Sequence, residues 1–154
     1  DINARYPDAA HPPIMLLAEH HEQESVYEHH RAADVCFVSS LHDGMNLVAK
    51  EFVAARDDER GVLILSQFAG AARELPEALI VNPYDTEQCA AAVRDALAMA
   101  PDEQRARMRS MRVLVQDFNV FRWAGRMLLD AARMRHGRRV QARARAARRE
   151  AGAA

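Results

Sequence analysis

Apolar residues in this chain fall into two kinds of stretch: short unbroken runs, and longer segments where they recur every three or four positions. The unbroken runs cover residues 14–18 (Ile-Met-Leu-Leu-Ala), 34–38 (Asp-Val-Cys-Phe-Val), 62–66 (Val-Leu-Ile-Leu-Ser) and 79–81 (Leu-Ile-Val). Runs this short, without polar alternation, predict four strands covered on both faces. Between and after them, helical spacing predicts helices over about 24–31, 45–56, 87–99, from 101 onward and from about 120 onward. A shorter helix is expected from about Gln67 to Leu75, broken by Pro76. Strands that alternate with helices argue an α/β fold: one parallel sheet of about four strands, helices on both faces, and further helices at the C-terminal end.

Local signals sharpen several boundaries. Asp85 or Thr86 is placed to cap the helix that follows, and Pro101 with Asp102 and Glu103 suits a first helical turn. Phe121, Trp123, Met127, Leu128 and Ala131 form a stripe of the spacing expected of core packing, so no ligand role is assigned to Trp123. Beyond Gly137 the stripe vanishes and leaves alanine and arginine. The chain therefore divides into a folded unit, 1–136, and an Arg/Ala-rich helical or disordered tail, 137–154.

Net charge is only −1, which marks no nucleic-acid partner. The charge is unevenly spread: residues 1–100 hold 17 acidic and 7 basic side chains, whereas residues 101–154 hold 5 acidic side chains and 14 arginines. Such a tail is read as a solvated helix or frayed end rather than a polyanion site. The two cysteines, Cys36 and Cys89, lack metal or redox spacing and suit small buried positions in a reducing compartment. No apolar run approaches the ~20 residues that cross a bilayer, and no signal sequence opens the chain, so a cytoplasmic protein without a membrane partner is expected. The first residue is Asp1, which hints at a piece of something longer.

The candidate chemistry lies at 39–51, Ser-Ser-Leu-His-Asp-Gly-Met-Asn-Leu-Val-Ala-Lys-Glu. A buried strand precedes it and a helix opening near Met45 follows. Asp43-Gly44 suits a tight turn, with glycine supplying a positive φ. A strand, a turn and a helix N-terminus present unpaired N–H groups to an anion, while Asp43 and Glu51 offer carboxylates to hydroxyls. A nucleotide sugar fits that combination. An ordinary βα turn with Asp43 as the helix cap fits the same spacing. His20, His21, His29 and His30 lack the His-Glu-x-x-His pattern, and as pairs at opposite ends of one helix they are read as surface and loop residues, not metal ligands.

Residues 43–51 resemble the donor-sugar loop of the trehalose-phosphate synthase family, which are retaining glycosyltransferases. The resemblance continues through Gly61-Val-Leu-Ile-Leu-Ser-Gln-Phe-Ala-Gly70 and Ala78-Leu-Ile-Val-Asn-Pro-Tyr-Asp85, and covers roughly residues 2–134. It implies the later part of the second Rossmann-like domain of a GT-B enzyme. It also implies a function: transfer of glucose from a nucleoside diphosphate to glucose 6-phosphate with retention, without a metal or other cofactor. By that resemblance Asp43 holds the donor glucose hydroxyls, and the backbone from Gly44 through Met45, Asn46, Leu47 and Val48 meets sugar and phosphate. Glu51 receives the ribose hydroxyls, while His21 and Val26 lie beside the base. The arginine–lysine pair that stabilises the departing phosphate, and the first-domain acceptor pocket, fall outside these 154 residues, so the isolated chain is expected to be inactive. A homo-oligomer is compatible with the resemblance. His42 departs from it, standing where arginine is common, and a weaker hold on an anion follows. The alternative is a non-catalytic relic or regulatory module that binds a nucleotide sugar.

Overall fold

The computed structural model describes residues 2–6 and 11–151, with side chains to Arg138. Its elements are α1 (Ile2–Arg5), α2 (Gln23–Ala32), β1 (Val35–Val38), α3 (Leu47–Ala55) and β2 (Val62–Ser66), then a 3₁₀ turn (Gly70–Arg73), β3 (Leu79–Val81), α4 (Thr86–Ala98), α5 (Pro101–Asp117) and α6 (Val120–Ala151). Among the described residues three strands, not four, form the sheet, in the order β1-β2-β3 and parallel throughout. Val35 to Val38 lie opposite Val62 to Leu65, and Ile64 to Ser66 opposite Leu79 to Val81.

Period-two alternation along β2 explains why helices cover both faces. Leu63 and Leu65 point into a core with Ala49, Phe52, Val53, Leu75, Met108 and Met111, so α3, the 3₁₀ turn and α5 take that side. Val62 and Ile64 point the other way, into Val81, Ala92 and Ala96, so α4 takes the opposite side. All five β2 residues are buried, as an unbroken apolar run in a central strand requires. Phe52, Leu63, Ile64 and Leu65 are fully enclosed. Each contributes about 1.5–3 kcal/mol by its transfer from water.

The expected first strand does not form. Residues 14–17 are at least half exposed, Leu16 at 84%, and β1 pairs with β2 alone. An extended apolar run becomes a strand only when a neighbouring backbone supplies the ladder. Here the Asn3 side chain stands in at one position: its amide donates to the Ile14 carbonyl and its oxygen accepts from the Ile14 N–H, at 2.7 and 2.9 Å.

The expected core stripe on α6 is likewise exposed: Phe121 at 83%, Trp123 at 56% and Leu128 at 70%. Asn119 ends the α5–α6 turn by accepting from the Phe121 and Arg122 N–H groups, and α6 then leaves a sheet already covered on both faces. The helix continues through Gly137 to Ala151. The 67–75 helix is reduced to the four-residue 3₁₀ turn Gly70–Arg73, with the Ala72 N–H donating to the Ala69 carbonyl and the Glu74 and Leu75 N–H groups to the Ala71 carbonyl.

Other local signals are met. Asp85 caps α4 by accepting from the Gln88 N–H at 2.9 Å, and Pro101 occupies the first turn of α5. Arg56, only 4% exposed, donates from Nη1 to the His30, Arg31 and Ala33 carbonyls and pairs with Asp58 through Nε and Nη2. It thereby closes the C-terminal end of α2, where a cation is favoured, and ties it to α3.

Candidate functional site

The loop between β1 and α3 is held from two directions. From the 3₁₀ turn side, Asp43 donates its N–H to the Phe68 carbonyl, and its own carbonyl accepts from Gly70 at 2.9 Å. The Met45 carbonyl accepts from Ala71 at 2.8 Å, and Asp43 bridges Ala69 as a parallel partner. Gly70 permits this docking: a Cβ there would sit 2.1 Å from the Gly44 carbonyl oxygen. From within, Asp43 Oδ1 accepts from the Met45 and Asn46 N–H groups, both at 3.0 Å, and Oδ2 accepts from the Asn46 side-chain amide at 3.0 Å. These bonds hold the Asp43 carboxyl below the usual carboxylate range, the Met45 N–H first among them, then the Asn46 amide.

Two expectations for this loop change. The helix opens at Leu47, not near Met45, and its cap is not Asp43 but Asn46, whose Oδ1 accepts from the Ala49 N–H at 2.9 Å. Positive φ belongs to Asn46, at 69°, and not to Gly44. Asparagine tolerates that region because its short side chain bonds locally, which here it does three times. Asp43 is therefore one step removed from the helix, fixing the residue that caps it.

Four N–H groups at a helix start have no intrahelical acceptor. At α3 the Asn46 N–H goes to Asp43 and the Ala49 N–H to Asn46. Among the described residues the amides of Leu47 and Val48 have no acceptor, and they stand at the end of a helix dipole, beside Asp43. Both residues, with Met45 and Gly44, are exposed. Glu51 follows one turn on, half-buried, and accepts no hydrogen bond among the described residues. All of this lies beyond the carboxyl end of β1, where open parallel sheets place their ligands.

Helix α2 packs on α3 and carries the remaining candidates. Val26 and His21 are half-buried. The His21 ring lies 5.8 Å from His29, so the histidines are not two separated pairs: residue 21 precedes the helix and folds back along it. His30 sets its ring edge against Phe52, 5.9 Å away, and burial pushes its pKa down, with Glu51 opposing and His29 assisting. The buried Nε2 atoms of His21 and His30 have no partner among the described residues. No three His, Cys, Asp or Glu among those residues are grouped to hold a metal ion. Sequence reasoning missed the parts played by the Asn46 side chain, Gly70 and His30. Only Asn46 carried a signal, as a good cap three residues before Ala49.

A groove of about 350 Å³ lies elsewhere, between α3, the 3₁₀ turn and α5. Leu75, Pro76, Leu114, Val115 and Phe118 line it, and the Lys50–Glu74 pair sits at its mouth. It includes none of the loop residues 43–48.

A parallel sheet sheathed by helices, with a polar loop and a helix N-terminus at its carboxyl edge, defines a Rossmann-like unit. The sequence profile of glycosyltransferase family 20 matches residues 1–133, and the chain belongs to that family. The chain is 42% identical over 130 residues to glucosylglycerol-phosphate synthase of Synechocystis sp., and 45% identical over 130 residues to trehalose-6-phosphate synthase of Klebsiella pneumoniae. Each match covers 84% of this chain but only 26% and 27% of those proteins, so the chain spans about a quarter of the length of these relatives. Among solved structures, a trehalose-6-phosphate protein from E. coli bound with UDP-2-fluoro glucose matches at 43% identity and TM-score 0.80, over 83% of this chain and 29% of that one. An alpha,alpha-trehalose-phosphate synthase (UDP-forming) from Burkholderia xenovorans in complex with glucose-6-phosphate matches at 44% and 0.81, over 83% and 28%. No helix among the described residues is long and apolar enough to cross a membrane.

Proposed function

We propose that this chain is the donor-binding part of a trehalose-6-phosphate-synthase-type glycosyltransferase, which moves glucose from a nucleoside diphosphate to glucose 6-phosphate with retention. The carrying observation is the Asp43–Val48 loop, where a preoriented carboxylate stands beside two unspent N–H groups at a helix start. A carboxylate offers about four acceptor positions. Three at Asp43 are filled by Met45 and Asn46, which leaves one for a sugar hydroxyl. The Leu47 and Val48 amides suit the diphosphate. Glu51, half-buried and one turn on, suits ribose hydroxyls, with His21 and Val26 toward the base. Relatives described as binding UDP-2-fluoro glucose and glucose-6-phosphate support this reading.

Fixed positive groups best stabilise a departing diphosphate, so the reading needs no metal ion. The family resemblance implies that the acceptor pocket and the arginine–lysine pair lie outside these 154 residues, and the chain spans about a quarter of the length of its relatives. The chain alone is thus expected to bind but not to transfer. Addition of UDP-glucose should shift the Leu47, Val48 and Glu51 amide NMR signals, and Asp43→Ala should weaken that response about tenfold or more. No shift in those amides at millimolar UDP-glucose refutes the site. Trehalose 6-phosphate formed above background from UDP-glucose and glucose 6-phosphate refutes the expected inactivity.

A further inference from the structure

Asn46 is 7% exposed and uses its whole side chain. The amide nitrogen donates to Asp43 Oδ2 at 3.0 Å and to Ser40 Oγ at 3.3 Å, while the oxygen accepts from the Ala49 N–H at 2.9 Å. Its backbone N–H goes to the other Asp43 oxygen. One residue therefore touches both carboxylate oxygens of Asp43 and also sets the start of α3. Its φ of 69° lies where non-glycine residues are uncommon, and such backbone persists only where surrounding bonds over-determine it. A helix cap alone needs only the Oδ1–Ala49 bond and neither of the other two.

We infer that Asn46 is a positioning residue for nucleotide-sugar recognition: its side-chain amide selects which lone pair of Asp43 faces a sugar hydroxyl, while its cap bond aims the Leu47 and Val48 amides at the phosphate. This rests on the donor-site reading above. The Asn46 side chain touches no ligand in it and acts through Asp43 and through α3. The registry between the two is the point: hydroxyl acceptor and phosphate donors are set by opposite ends of one planar amide, so their spacing is rigid.

Asn46→Asp separates positioning from capping. Aspartate caps as well as asparagine and tolerates the same φ. It replaces the donor facing Asp43 with a second carboxylate oxygen at about the same 3.0 Å separation. Two carboxylates that close cannot both ionise freely and share a proton until pH removes it. Among the described residues, the titratable neighbour that acts on Asp43 is His42. The readout is the ratio of dissociation constants of the UDP β-methyl ester and UDP-glucose from pH 5 to 8; both are diphosphate diesters of the same charge across that range, so repulsion of the common diphosphate cancels.

In the natural protein the ratio should be flat, because Asp43 stays ionised throughout. In Asn46→Asp it should fall about tenfold or more toward pH 8 and recover toward pH 5. Carbon-13 titration of the Asp43 carboxyl should move upward in the variant. Asn46→Gly, free of backbone strain and lacking the amide, should show the low ratio at every pH, and it serves if the aspartate variant does not fold. A ratio in either variant equal to that of the natural protein, while Asp43→Ala abolishes it, overturns the positioning role alone. A ratio untouched by Asp43→Ala overturns the donor-site reading itself.

Discussion

Replacing Gly70 by alanine tests whether the loop is held from outside as well as from within. The added Cβ would lie 2.1 Å from the Gly44 oxygen, 2.8 Å from the Gly44 carbonyl carbon and 3.2 Å from the Met45 nitrogen. All three are backbone atoms of the candidate donor loop, so no side chain can rotate away. Gly70 has no positive φ, and the effect is therefore steric, not conformational. Restoring an ordinary contact requires a displacement of about 1 Å. The bonds from Gly70 and Ala71 to the Asp43 and Met45 carbonyls, at 2.9 and 2.8 Å, resist it. Overpacking of this kind costs about 1–3 kcal/mol. A loop shift of ~1 Å in a positioned site lowers binding or turnover up to about 100-fold. UDP-glucose titration and thermal unfolding of Gly70→Ala read both quantities. Gly125→Ala is the control, since nothing lies within 4 Å of its Cβ and α6 should tolerate it. Native affinity and an unchanged midpoint for Gly70→Ala would refute the reasoning, because the loop would then be free to yield.

Arg56→Met removes two donor hydrogens shared among three carbonyls at the end of α2 and should destabilise the fold by about 2–3 kcal/mol, read by urea denaturation; a loss under about 0.5 kcal/mol contradicts the capping role. His30 has a depressed pKa in the folded state, so its contribution is complete above the ordinary histidine value near 6.5 and is lost as pH falls from there through the folded value. His30→Phe, which keeps the ring edge on Phe52, should therefore flatten the fall in thermal midpoint between about pH 7 and pH 5; an unchanged pH profile argues against it. Deleting residues 138–154 should leave the midpoint nearly unchanged, whereas a drop of more than about 4 °C would mean that the tail docks on the body.

Residues 34–38, 62–66 and 79–81 were legible as strands, as were the helices at 23–32, 86–98 and from Pro101, because each is specified by neighbours within a turn or two. The unbroken apolar run of β2 even implies a strand with helices on both faces. Asp85 and Pro101 read correctly for the same reason: a cap bonds three residues along its own chain. The loop at 43–51 was legible as a place, from the strand, turn and helix around it.

What the sequence by itself determined, then, was local periodicity, end signals and the membership that its motif implied. Tertiary structure decided the rest. Residues 14–18 have the composition of a strand but no ladder partner. Phe121, Trp123 and Leu128 have the spacing of a core helix but no free sheet face to cover. Gly44 looked like the glycine the turn required; the demand fell instead on Gly70, twenty-six residues away, where two backbones meet. Asp43 looked like the cap, but the docking of the 3₁₀ turn sets the loop so that Asn46 caps and Asp43 holds Asn46. Hydrogen-bond partners and close approaches are relations between distant segments, and no local pattern encodes them until the chain has brought those segments together.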